Sequence, residues 1–121
     1  MPIRNDRKTG LVIHAACAVA PEDASRFAHL VRRHVAQTQR RPGCNGLAFA
    51  ADMGAPATFH IVEAWTDRAA LDAHNASPDF HAAMVELLSR VRIRSRETQL
   101  YTVSTHDRAA PFGLHGVGSA R

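Results

Sequence analysis

Two cysteines, few aromatic side chains and no long apolar run narrow what this 121-residue chain can be. Cys17 and Cys44 lie far apart and match no metal or redox spacing, so two buried thiols are expected rather than a disulfide framework. No apolar stretch approaches the roughly 20 residues that cross a bilayer. Met1 to Gly10 is polar and charged with no apolar segment behind it, so the expectation is a cytoplasmic protein without a leader or membrane contact. Aromatic residues make up only 6% of the chain, which bears on its net charge of +4. Arg26, Arg32, Arg33, Arg40, Arg41, Arg90, Arg92, Arg94 and Arg96 are scattered over several segments with no aromatic platforms between them, so most read as solvated surface and not as a nucleic-acid interface. The eight histidines include no helical i, i+4 pair with a completing carboxylate, and His74 and His81 are seven apart, so no metal site is expected.

What is present is ordinary globular composition, 45% hydrophobic and 21% charged, at a length that suits one domain. Leu11 to Ala20 alternates with period two, as a half-buried strand does. Pro21-Glu22-Asp23 then opens a helix, because a proline costs nothing at its first position and acids favour its positive end. Phe27, Leu30, Val31, His34, Val35 and Thr38 form its packing stripe, and Pro42-Gly43 ends it near Arg40 or Arg41. Leu47, Phe49 and Ala51, then Phe59, Ile61, Glu63 and Trp65, alternate around the turn-rich Asp52-Met53-Gly54-Ala55-Pro56 and predict a hairpin.

Asp67 is placed to cap a short helix, and Ser77-Pro78-Asp79 to start another whose stripe is Phe80, Met84, Leu87, Leu88 and Val91. Thr98 to Val103 resembles a last strand. The order β-α-β-β-α-β predicts an α+β, ferredoxin-like domain with an antiparallel sheet over residues 10–104. Residues 1–9 and 105–121 fall outside it as terminal extensions, and the tail carries glycine and proline without periodicity, as a segment disordered or draped on a partner would.

Pro21-Glu22 at the start of the first helix, Arg41-Pro42-Gly43-Cys44 at its exit and FHIVEAWTDRAALDAHNASPDF from Phe59 to Phe80 together resemble the antibiotic biosynthesis monooxygenase family, which includes small quinol monooxygenases. The most specific stretch runs from Glu63-x-Trp65 through Asp-x-x-Ala-Leu-x-x-His, ending at His74, to Ser77-Pro78-x-Phe80. The resemblance implies a homodimeric α/β barrel in which two sheets meet, with a pocket between each sheet and its helices. It further implies oxidation of a phenolic, quinol or anthrone-like aromatic by O₂ with no cofactor. Isomerases and haem-degrading enzymes share the scaffold, as would a dimer that only binds a ligand or builds an assembly. The haem-degrading relatives carry a strand-one asparagine that Leu11 to Ala20 lacks.

Each site candidate has a catalytic and a plain structural reading. Trp65 offers a flat wall and one N–H donor to a phenolic substrate, or fills the core. Glu63 orients substrate, or is tied to an arginine or to backbone. His74 is the first candidate for the base, because imidazole titrates near neutrality, and its alternative is a helix-capping histidine. Phe59, Ile61, Phe80, His81 and Met84 complete the expected substrate-binding set, with His81 also fitting a core or rim position. His14 alternates out of the Leu11 and Ile13 face and is expected toward the dimer interface.

Overall fold

The computed structural model describes residues 8–109. The N-terminal extension and the tail beyond residue 109 lie outside the described residues, apart from its Lys8, Thr9 and the stretch to Ala109. The elements run β1 (Leu11–Val19), α1 (Ala24–Gln39), β2 (Cys44–Ala51), β3 (Thr58–Trp65), α2 (Arg68–Asn75), α3 (Pro78–Arg90) and β4 (Ile93–Thr102). The sheet has the order β2-β3-β1-β4 and every pairing is antiparallel. This is a ferredoxin-like α+β fold with the second helical segment broken in two. Among the described residues no helix is long and apolar enough to cross a membrane.

The breaks follow local chemistry. Pro21–Asp23 forms one 3-10 turn before α1 takes over, and Asp23 uses its carboxylate to accept from the Arg92 backbone N–H at 3.0 Å and from Arg26 at 2.9 Å. The start of α1 is thus tied to the entry of β4. Gly43 turns the chain after α1 with φ of 81°, and a Cβ there would lie 2.4 Å from the Ala70 Cβ. Any other residue would be strained and would push α2 off the sheet. Asp67 caps α2 by accepting from the Ala70 N–H at 2.9 Å, and the Ser77 hydroxyl caps α3 by accepting from the Phe80 N–H at 3.3 Å.

β4 begins at Ile93 and not at Thr98 as the sequence suggests. It is an edge strand, half-buried only at Ile93 and exposed beyond it, so its side chains carry no alternation for a pattern to detect.

The helices cover one face of the sheet. Cross-strand partners in an antiparallel pair share a face, so that covered face carries four rows: Cys17 with Phe59, Ala15 with Ile61, Ile13 with Glu63, and Leu11 with Trp65. Cys17, Val19, Phe27, Leu30, Val31, Phe59, Leu87 and Val91 form the larger core at one end, and Leu11, Cys44, Trp65 and Leu71 a smaller one at the other. Leu88, expected in the packing stripe of α3, is exposed.

Candidate functional site

A partly open cavity of about 670 Å³ lies between the sheet and helices α1 and α3. Its floor is Ile13, Ala15, Ile61 and Glu63, and its roof includes Leu30, His34, Phe80 and Met84. Ala15 leaves room in the second row, where its β3 partner is the branched Ile61 and a larger residue would fill the hollow. The volume suits a small organic molecule of two or three rings.

Glu63 is the polar group of the apolar floor. Its Oε1 accepts from the Trp65 indole N–H at 2.8 Å, a contact made possible because residues two apart on a strand share a face. Burial pushes the carboxyl above its usual range, while the indole N–H and the charge of Arg96 pull partly the other way. The carboxylate therefore has both an oxygen held by Trp65 and a raised affinity for protons, the profile of a general base.

The roof supplies an imidazole. His34 Nε2 lies 3.0 Å from the Thr38 hydroxyl, which also reaches the His34 carbonyl at 3.2 Å. When Thr38 gives its single hydrogen to that carbonyl, Nε2 must be the ring N–H and Nδ1 is left as a bare acceptor. Nδ1 is buried with no protein partner. Burial foremost, and the charge of Arg41, lower the His34 pKa, so the ring is neutral at physiological pH.

The expected site residues divide into two groups. Glu63, Ile61, Phe80 and Met84 line the cavity. Trp65, His74, Phe59 and His81 are not among its lining residues. Phe59 packs into the larger core against Phe27 and Phe49, and His81 is exposed on α3, because the helix turns it away from the sheet.

Trp65 has no exposed surface and stacks on His74, with ring centroids 5.2 Å apart. His74, 3% exposed, also meets Phe80 at 4.5 Å and His34 at 5.7 Å. The two residues expected to face a ligand across a hollow instead pack on each other behind its wall. Trp65 touches the cavity lining through Glu63, and His74 through His34 and Phe80. Its pKa is lowered to about 4, by burial first and then by His34 and Arg41.

Sequence reasoning passed over His34 and Arg41. His34 was visible in the α1 stripe, where a histidine among apolar residues is a signal of its own. Arg41, grouped with the solvated arginines, is half-buried and donates to the Ser77 hydroxyl at 2.7 Å and the Asp79 carboxylate at 2.6 Å, joining the exit of α1 to the start of α3. Among the described residues no three histidine, cysteine or carboxylate side chains group as a ligand set.

The profile of the antibiotic biosynthesis monooxygenase family matches residues 10–86, which hold all the elements from β1 into α3. The chain belongs to that family. The match embraces Glu63, Trp65, His74 and Phe80, whereas Arg96 on β4 lies beyond it.

Two solved structures match in shape. A Deinococcus radiodurans protein assigned to the same family superposes with a TM-score of 0.75 at 20% identity, covering 83% of this chain and 98% of that one. SnoaB, a cofactor-independent oxygenase from Streptomyces nogalater, superposes with a TM-score of 0.67 at 20% identity, covering 81% and 96%. At such identities the likeness is one of fold. The uncharacterised protein sll1783 of Synechocystis sp. is 28% identical over 94 residues, which is 78% of this chain and 63% of that protein. The chain thus spans less than two thirds of that relative's length.

Proposed function

We propose that this protein is a cofactor-independent monooxygenase that oxidises a phenolic, quinol or anthrone-like aromatic with O₂ in the cavity over Ala15. The observation that carries the proposal is a desolvated carboxylate, Glu63, on the floor of an apolar cavity, with one oxygen held by the indole of Trp65. Membership of the family and the shape shared with a cofactor-independent oxygenase support it.

The proposed roles follow from position. Glu63 takes the proton from the substrate hydroxyl or activated C–H, and its raised pKa makes it a stronger base than an exposed carboxylate. Trp65 holds that carboxylate in place. The bare Nδ1 of His34 accepts from a second hydroxyl and orients the ring, while Ile61, Phe80 and Met84 exclude water. His74, stacked on Trp65 and tilted against Phe80, positions them.

The deprotonated ring gives one electron to O₂, and the radical pair joins through a new C–O bond. Loss of water then breaks the O–O bond and leaves a carbonyl. One oxygen atom enters the product and the other leaves as water, and all four electrons come from the substrate, as in conversion of an anthrone CH₂ to C=O.

The protein is further proposed to act as a homodimer through the sheet face that the helices leave uncovered, where Ala16, Ala18, Ala48 and Val62 permit close approach. Light scattering of Ala16→Arg against the unchanged chain tests this, with a monomer expected only for the variant. For the reaction itself, O₂ uptake is measured with a panel of anthrones and naphthohydroquinones. Uptake above the spontaneous rate is expected for at least one substrate, with its loss in Glu63→Gln and in the cavity-filling Ala15→Phe. Uptake in Glu63→Gln at the unaltered rate, or no enzymatic uptake with any of these substrates, overturns the proposal.

A further inference from the structure

Arg96 stands on β4 directly opposite Cys17 of β1, and both line the cavity. The other guanidinium on the lining, Arg33, has the Glu86 carboxylate within 3.9 Å. Among the described residues no carboxylate comes within 4.0 Å of Arg96. Its charge nevertheless reaches inward, since it lowers the proton affinity of both Glu63 and Cys17. The cavity therefore has the half-buried Glu63 carboxyl on its β3 side and, on its β4 side, a cation with no carboxylate partner among the described residues, with the apolar floor of β1 between them.

The register gives the separation. Glu63 pairs with Ile13, and Arg96 with Cys17, on opposite flanks of β1. Four residues along a strand and two strand spacings across it place the two backbone positions roughly 16 Å apart. Both side chains line the one cavity, and a two-ring aromatic with a polar group at each end is on the scale of that span. A guanidinium fork matches a planar carboxylate with two parallel hydrogen bonds, and Thr98, next along the same face of β4 opposite Ala15, adds a hydroxyl. A carboxylate at the other end would meet Glu63 and be repelled, so the two charges impose one direction on a ligand with unlike ends.

We propose that the cavity selects hydroxyaromatic carboxylates, taking the neutral hydroxyl at Glu63 and the carboxylate at Arg96. The proposal rests on the reading of this cavity as an aromatic substrate site, and it adds the class of substrate and the residue that reads it.

Isothermal titration calorimetry of the full chain under nitrogen, where no turnover intervenes, tests it with 6-hydroxy-2-naphthoic acid and its methyl ester. These differ only in the charge at the end remote from the hydroxyl. The acid is expected to bind at least about tenfold more tightly than the ester, and the difference to shrink as salt is raised, because Arg96 is solvent-exposed.

Arg96→Met is expected to erase the difference by weakening the acid alone, and Arg96→Lys to restore part of it, since an ammonium keeps the charge but not the fork. Equal affinities in the unchanged chain, no binding of either ligand, or a preference that survives Arg96→Met overturns the proposal. Oxygen uptake from neutral quinols with no acid preference would sink this inference alone. An Arg96-dependent preference with no uptake from any hydroxyaromatic would sink the oxygenase reading and leave the ligand class standing.

Discussion

Two pairs of stacked imidazoles occupy opposite sides of one sheet and live in different chemistry. On the helix side, His34 and His74 are 5.7 Å apart among Trp65 and Phe80, each with a buried Nδ1 that has no protein partner. On the uncovered side, His14 and His60 stack at 5.1 Å and share a hydrogen bond of 2.8 Å, and His60 Nε2 donates to Asp52 at 2.7 Å. His60 reaches Asp52 through Nε2 and His14 through Nδ1, so both of its ring nitrogens have partners. Each side also has its carboxylate. The Asp52 pKa is lowered, first by the His60 hydrogen bond, whereas burial drives Glu63 up. The same residue types thus make a fully partnered chain where water reaches them and an under-partnered cluster where it does not.

The contrast breaks most visibly at the two carboxylates. Glu63→Gln is expected to lower substrate-dependent O₂ uptake by roughly 10²–10⁴-fold, the usual worth of a general base. Its stability at pH 8 is expected to be unchanged or higher, measured by urea denaturation. Glu63 is a group with a raised folded pKa, so its contribution is present below 4.5, its ordinary value, and is lost as pH rises through the folded value. The rate of the unchanged chain should accordingly climb with pH through a midpoint above 4.5. A stability loss matching the activity loss would make Glu63 a purely structural group.

Acid sharpens the comparison next. The folded pKa of His74 is depressed to about 4 from 6.5, so its stabilisation is present above 6.5 and disappears as pH falls toward 4. That difference is worth up to about 3 kcal/mol. Urea midpoints between pH 7 and 4 should fall steeply in the unchanged chain and more gently in His74→Leu. Parallel slopes in the two would show that the inner pair is not the acid-sensitive one.

Asp67→Ala removes the cap of α2, the helix that presents His74, and should cost about 1 kcal/mol in thermal or urea unfolding. Smallest of all, Asp52→Asn is expected to change O₂ uptake by no more than about twofold, since its chain of hydrogen bonds is part-exposed and lies on the other side of the sheet. A larger fall would mean that the two sides communicate.

The fold was legible because its signals are local. The Asp67 and Ser77 caps, the Pro42-Gly43 stop and the alternation of β3 all appear in the structure with hydrogen bonds or dihedral angles that explain them. The beginning of β4 was not legible, since an exposed edge strand imposes no pattern on IRSRE.

Only part of the cavity lining was legible in the sequence, for a geometric reason. Period two does place Glu63 and Trp65 on the helix side, but it says nothing of how far along the strand the hollow extends. It ends at the Ile13 and Glu63 row, and Trp65 falls in the next row, under α2. Likewise the helical wheel placed His34 inward without revealing that Ala15 leaves space beneath it. Cavities come from side chains that are small where neighbours are large, a property of pairs across elements and not of any one segment.

The hydrogen bond from Trp65 to Glu63 also equips the molecule with its own optical gauge. Trp65 is the sole indole in the sequence, it has no contact with solvent, and its N–H ends on the carboxylate that titrates at the cavity floor. Its emission is therefore expected to respond to the ionisation of Glu63 without any added dye, and to shift to the red when unfolding brings water to the ring.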